Sequence, residues 1–111
     1  MMEKSYKITS LLLVILGAVH ALFTPFFYHT INADSLWYLG TGLSYIFMGL
    51  YNLASIKVKI SSIFNIAIIL NFIATIFTIA ITYILREPQL FIAMILVIFV
   101  FLNSIFIKIY D

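Results

Sequence analysis

Four long stretches of this chain, 8–33, 35–56, 60–85 and 88–107, contain no Asp, Glu, Lys or Arg. Each reaches the ~20 residues that a helix rising 1.5 Å per residue needs to cross a hydrocarbon core about 30 Å thick. Of the 111 residues, 65% are hydrophobic and 9% charged, whereas soluble domains run at about 45–50% and about 25%. The expectation is an all-α membrane protein, a single domain over 1–111 with transmembrane helices at about 8–28, 36–56, 60–85 and 89–109. Short connections between consecutive spans favour an up-down-up-down antiparallel bundle.

Charge placement orients that bundle. If the spans alternate, Lys4, Lys7, Lys57, Lys59 and Lys108 fall on one side and only Arg86 on the other. This positive-inside bias predicts a protein of the cell membrane with both termini cytoplasmic. Tyr28, Trp37, Tyr38 and Tyr83 then mark the outer interface, and Tyr6 and Tyr110 the inner one. Met1–Lys7 and the apolar run after it faintly resemble a signal peptide, but apolar character continues to Tyr28, longer than such a core requires. Asp34 or Ser35 is expected to cap the second span.

The second span reads LWYLGTGLSYIFMGLYNLASI and holds Gly40, Gly42 and Gly49, three of the four glycines. Gly42, Tyr45, Gly49 and Asn52 recur at three, four and three residues, which puts them on one helical face. Small residues let helix backbones approach closely, and buried Tyr or Asn side chains hydrogen-bond across such contacts. This span is therefore expected to be the inner helix of the bundle, with Gly17 on the first span as a further packing glycine.

Polar side chains within the spans are the functional clues, because each needs a partner in hydrocarbon. Counted from the outer ends, His20, Tyr45, Thr75 and Thr78 lie at about 10–15 Å and form one candidate layer. Asn52, Asn71 and Asn103 lie at about 21–24 Å and form a second. On the first span Ser10, Gly17, His20, Ala21 and Thr24 share a side; on the third, Asn71, Thr75, Thr78 and Thr82 do. Each span thus turns a small or polar stripe inward and Ile, Leu, Phe and Val outward. The structural account of both layers is interhelical hydrogen bonding, including a His20–Tyr45 bond. The functional account is a ligand site or an ion path.

Several classes are disfavoured. Without cysteine there are no disulfides, thiolate metal sites or cysteine nucleophiles. No metal or cofactor is expected, since His20 and His29 sit nine residues apart on one helix or its edge and cannot both ligate one haem. No nucleophile–base pair is identifiable, so no enzyme is expected. The external group Tyr28, His29, Asp34, Trp37, Arg86 and Glu87 is a further place where something could bind, and interface anchoring explains it equally. Asp34 and Glu87 approach only if their loops pack together. Basic residues confined to helix ends give no nucleic-acid surface. The expected partners are the lipid bilayer and either a second copy or another membrane protein.

Length and span number superficially resemble the small multidrug-resistance transporters, but the glutamate that this family carries in its first helix is replaced at comparable depth by His20. That function is not carried over. The combination of His20 and Phe23-Thr24-Pro25-Phe26-Phe27-Tyr28 with Leu36-Trp37-Tyr38-Leu39-Gly40-Thr41-Gly42-Leu43 resembles uncharacterised small four-helix bacterial membrane proteins, which implies a fold and no activity. The leading expectation is an accessory or assembly protein acting through helix contacts. A carrier or binder of a small lipophilic ligand around His20 and Tyr45 is the second, and an oligomeric pore or transporter lined by the asparagines the third.

Overall fold

The computed structural model describes residues 2–107 and is helical throughout, measuring 48 × 24 × 20 Å. Four long helices, α1 (Met2–Leu22), α3 (Ala33–Val58), α4 (Ser61–Leu85) and α5 (Pro88–Phe106), are joined by short turns. A single short turn of helix, α2 (Thr24–Phe27), follows α1. Lys108, Tyr110, Asp111 and the expected end of the last span at 109 lie outside the described residues.

Local chemistry sets the boundaries. The expected first span breaks at Phe23, because Pro25 has no amide hydrogen to continue the ladder and its ring crowds the preceding turn. Pro25 instead occupies the first turn of α2, where that amide would be unpaired anyway. Asn32, rather than Asp34 or Ser35, caps α3: its side chain accepts from Ser35 N at 2.9 Å, and Ser35 Oγ accepts from Asn32 N at 2.9 Å. This reciprocal capping box satisfies two orphan amides at once. Asp34, in the first turn, adds negative charge where the helix dipole favours it. Lys59 and Arg86 terminate α3 and α4 in the left-handed conformation, at φ 55° and 53°.

Three of the helical segments, Met2–Phe27, Ser61–Leu85 and Pro88–Phe106, are long and apolar enough to cross a membrane. The glycines, tyrosines and Asn52 of α3 lower its hydropathy, and these are largely the residues it turns toward its neighbours. Ser35, Gly42, Tyr45, Gly49, Asn52 and Ser55 are all buried, whereas Trp37, Phe47 and Leu50 are exposed.

The helices form a ring. α1 lies between α3 and α5, and α4 closes the other side against the same two; the diagonal pairs make no close backbone approach. No helix is central, which corrects the expectation of an inner second span. The closest contact joins α1 to α3, and glycines create it. A Cβ on Gly42 would sit 2.7 Å from Gly17 O and 2.9 Å from Ala21 N, and one on Gly49 only 2.6 Å from Ser10 O. A Cβ on Gly17 would collide with Gly42 O. Gly40 faces open space. Three of the four glycines therefore build one seam.

Inside the ring, Tyr6, Leu13, Phe64, Ala67, Val97 and Val100 pack with Ser10, Asn52, Ser55, Asn71, Thr78 and Ser104, all buried. Most exposed large side chains are Ile, Leu and Phe. The stripe Asn71, Thr75, Thr78 and Thr82 is buried along α4 as expected.

Candidate functional site

The sequence-derived polar layers separate into local contacts. Near the start of α1, Tyr6 Oη donates to Asn52 Oδ1 at 2.8 Å, and Asn52 Nδ2 donates to Asn71 Oδ1 at 2.9 Å. This chain ties α1, α3 and α4 together. Asn103 stands apart, donating from Nδ2 to Ser5 Oγ at 3.2 Å, because α5 packs beside α1 rather than facing α3. The expected asparagine trio is therefore two separate ties. Tyr6 is fully buried with its ring edge-on to Phe64 at 5.6 Å, and so is a core residue rather than an interface anchor. Asn71 Nδ2 and Ser10 Oγ have no hydrogen-bond partner among the described residues.

The other expected layer divides too. Tyr45 Oη and Thr78 Oγ1 are hydrogen-bonded at 2.7 Å. Thr75 Oγ1 bonds to Asn71 O of its own helix at 2.7 Å and leans toward Val97 O of α5 at 3.4 Å. His20 joins neither. Its imidazole lies flat on the Tyr38 ring, with centroids 3.8 Å apart and planes 19° from parallel. The glycine seam explains this choice: with Gly17 held against Gly42, the residue one turn beyond Gly17 meets the residue one turn before Gly42. His20 therefore meets Tyr38 and not Tyr45.

Tyr38 also touches Tyr28 at 5.4 Å and Phe27 at 5.8 Å. Beside this aromatic group is a cavity of about 380 Å³. Its walls carry His20, Tyr28, Trp37, Tyr38, Thr41 and Phe77, and Asp34 and Glu87 also line it. His20 Nε2 is buried with no hydrogen-bond partner among the described residues. A second cavity of about 260 Å³ lies against His20 and Tyr38 with Leu16, Val19, Phe27 and Gln89. Asp34 and Glu87, distant in sequence, thus border one space. At the opposite end Lys59 Nζ pairs with Glu3 at 3.1 Å.

A larger space of about 490 Å³ runs between α3 and α4 past Tyr45, Met48, Leu70, Ala74 and Phe77. Its lining is almost wholly apolar, and the Tyr45 hydroxyl within it is already bonded to Thr78. Volume alone favours this groove, but a specific ligand needs convergent polar groups as well as apolar walls. The His20 cavity has both. Of its lining, sequence reasoning reached His20, Tyr28, Asp34, Trp37 and Glu87, and gave Tyr38 only an anchoring role. Thr41 and Phe77 carried no separate signal. No protein-family model, curated protein or solved structure matches the chain.

Proposed function

We propose that this chain is an integral protein of the cell membrane that retains a small lipophilic or amphipathic molecule in the cavity around His20 and Tyr38. One observation carries the reading: His20 lines a cavity of about 380 Å³, and its buried Nε2 has no hydrogen-bond partner among the described residues. Unpaired buried polar atoms are destabilising, and a ligand hydrogen-bonded to Nε2 would remove that penalty. The activity is binding rather than catalysis. The site departs from the sequence-derived layer, since Tyr45, Thr75 and Thr78 already have partners.

Native mass spectrometry of the protein released from native membranes in mild detergent tests this directly. An adduct of defined mass is expected on the wild type and is expected to be lost in His20→Ala. A wild type without adduct, or an adduct untouched by His20→Ala, would refute the site.

All four long helices cross the bilayer in this reading, alternating up and down with both termini cytoplasmic. Two features support the α3 crossing. Lys59 at its end pairs with Glu3, while Asp34 at its start borders the same cavity as Glu87. The excess of Lys4, Lys7, Lys57 and Lys59 over Arg86 favours an outer position for the cavity. Because the chain has no cysteine, single substitutions label without background. In intact cells a membrane-impermeant maleimide is expected to modify Arg86→Cys and spare Lys57→Cys; the reverse pattern would invert the topology.

A second reading, an accessory or assembly protein, draws on the apolar groove between α3 and α4. The groove suits a partner helix or a second copy of this chain. Against it, Gly17, Gly42 and Gly49 serve contacts within the chain and are not free for a partner. The asparagines, tied in two separate places, lend a pore no support.

A further inference from the structure

Resting on the ligand-binding reading, we propose that the His20 cavity selects an organic cation carrying an apolar group, of the quaternary-ammonium type. The walls supply aromatic rings from Tyr28, Trp37, Tyr38 and Phe77, and two carboxylates, Asp34 and Glu87, share the lining. No lysine or arginine lines it. Arg86, the only arginine in the chain, is adjacent in sequence to Glu87 but does not line the cavity. Its Nε donates to Tyr83 O at 3.2 Å, and its guanidinium lies 5.5 Å from the Tyr83 ring centroid. Asp34 and Glu87 have no ion-pair partner among the described residues. Glu87 instead accepts a hydrogen bond from the side-chain amide of Gln89, which steadies the carboxylate while leaving its charge uncompensated.

Aromatic faces carry negative electrostatic potential and attract cations held over them, most of all when water is excluded. A quaternary ammonium is weakly hydrated and enters such a space at a smaller desolvation penalty than a primary amine or a metal ion. Calcium is a poor fit, since it takes six to eight oxygen ligands, and this lining is mainly carbon with two carboxylates. An anion would meet two negative charges. The volume, about 380 Å³, falls in the range of about 300–1,000 Å³ typical of small-molecule sites.

Trp37 is the chain's only tryptophan and lines the cavity, so its fluorescence reports occupancy. The experiment titrates the full chain, in zwitterionic nanodiscs, with benzyltrimethylammonium and with neopentylbenzene, its neutral isostere; empty nanodiscs correct for partitioning. The cation is expected to change Trp37 emission saturably and to bind at least about tenfold more tightly than the isostere. Each carboxylate replaced, as Asp34→Asn or Glu87→Gln, is expected to weaken the cation severalfold and leave the isostere unchanged. Both side chains are exposed, and helical circular dichroism checks that the variants fold. Losing one aromatic wall, in Phe77→Leu, is expected to weaken the cation about 3- to 30-fold. Equal binding of both probes, weakened by His20→Ala but not by the acid variants, would overturn the cation preference and leave the binding site standing. No emission change with either probe would also overturn it, while the native adduct and its loss in His20→Ala would still decide the binding reading separately.

Discussion

Gly42→Val is expected to be among the most damaging single substitutions in this protein, because it forces apart the backbones of α1 and α3. The atoms that a side chain at Gly42 would strike are Gly17 O and Ala21 N, at 2.7 and 2.9 Å from the first added carbon alone. Neither is the end of a flexible side chain, so relief requires moving a helix. Overpacking typically costs about 1–3 kcal/mol, and we expect Gly42→Ala within that range and Gly42→Val above it. Gly17 and Gly49 meet backbone just as closely and should behave alike. Gly40→Ala is the internal control. Nothing lies within 4 Å of its added carbon, and removing a helical glycine should gain about 0.5–1 kcal/mol. Thermal unfolding in one detergent, followed by circular dichroism, compares them. Equal midpoints for Gly42→Ala and Gly40→Ala would mean that the seam is not closed. The same substitution should abolish ligand retention, because the seam sets His20 against Tyr38.

The second large effect is expected at the opposite end of the bundle. Tyr6 is fully buried, packs edge-on against Phe64 and donates to Asn52, which in turn holds Asn71. Emptying a buried aromatic site costs about 3–5 kcal/mol in water-soluble cores. Lipid around this bundle offers no gain from hiding apolar surface from water, so Tyr6→Ala should fall at the lower end, about 3 kcal/mol. Tyr6→Phe keeps the ring and removes only the hydroxyl. Interhelical hydrogen bonds average about 0.6 kcal/mol in a membrane bundle, and a loss of that size is expected. Unfolding in graded SDS separates the two, and a Tyr6→Phe as damaging as Tyr6→Ala would show the hydrogen-bonded chain to outweigh the packing.

Both predictions use residues that the sequence exposes unequally. Gly17, Gly42 and Gly49 stood out as packing glycines, and a helix-helix seam is what small residues at such spacing produce. The α4 stripe from Asn71 to Thr82 was also legible, since helical periodicity assigns faces without reference to other helices. Partner identity was not. Counting depth from the expected outer end at Tyr28 put His20 level with Tyr45, but Pro25 breaks the helix and α1 ends at Leu22. His20 is therefore close to a helix end, opposite Tyr38. Asn103 was matched to Asn52 and Asn71 by depth alone, whereas the ring order of the helices decides who faces whom. Tyr6 looked like an interface anchor because tyrosines near charged ends often are; its burial depends on Phe64 and Asn52, which lie far away in sequence. Asp34 and Glu87 fall in one external group by sequence, but on separate loops, so whether they meet depends on how those loops pack. Their common cavity arises only when the turns before α3 and α5 are folded over the same end.

The central claim is that a small molecule occupies the space beside His20, and photocrosslinking in the native membrane tests it most directly. A photoreactive phenylalanine analogue placed at Tyr28, which lines the cavity, is compared with the same analogue at Tyr83, exposed at the same end. The account predicts that the Tyr28 position captures a non-lipid species of one defined mass, and that the Tyr83 position captures only lipid. Identical products at the two positions would contradict it.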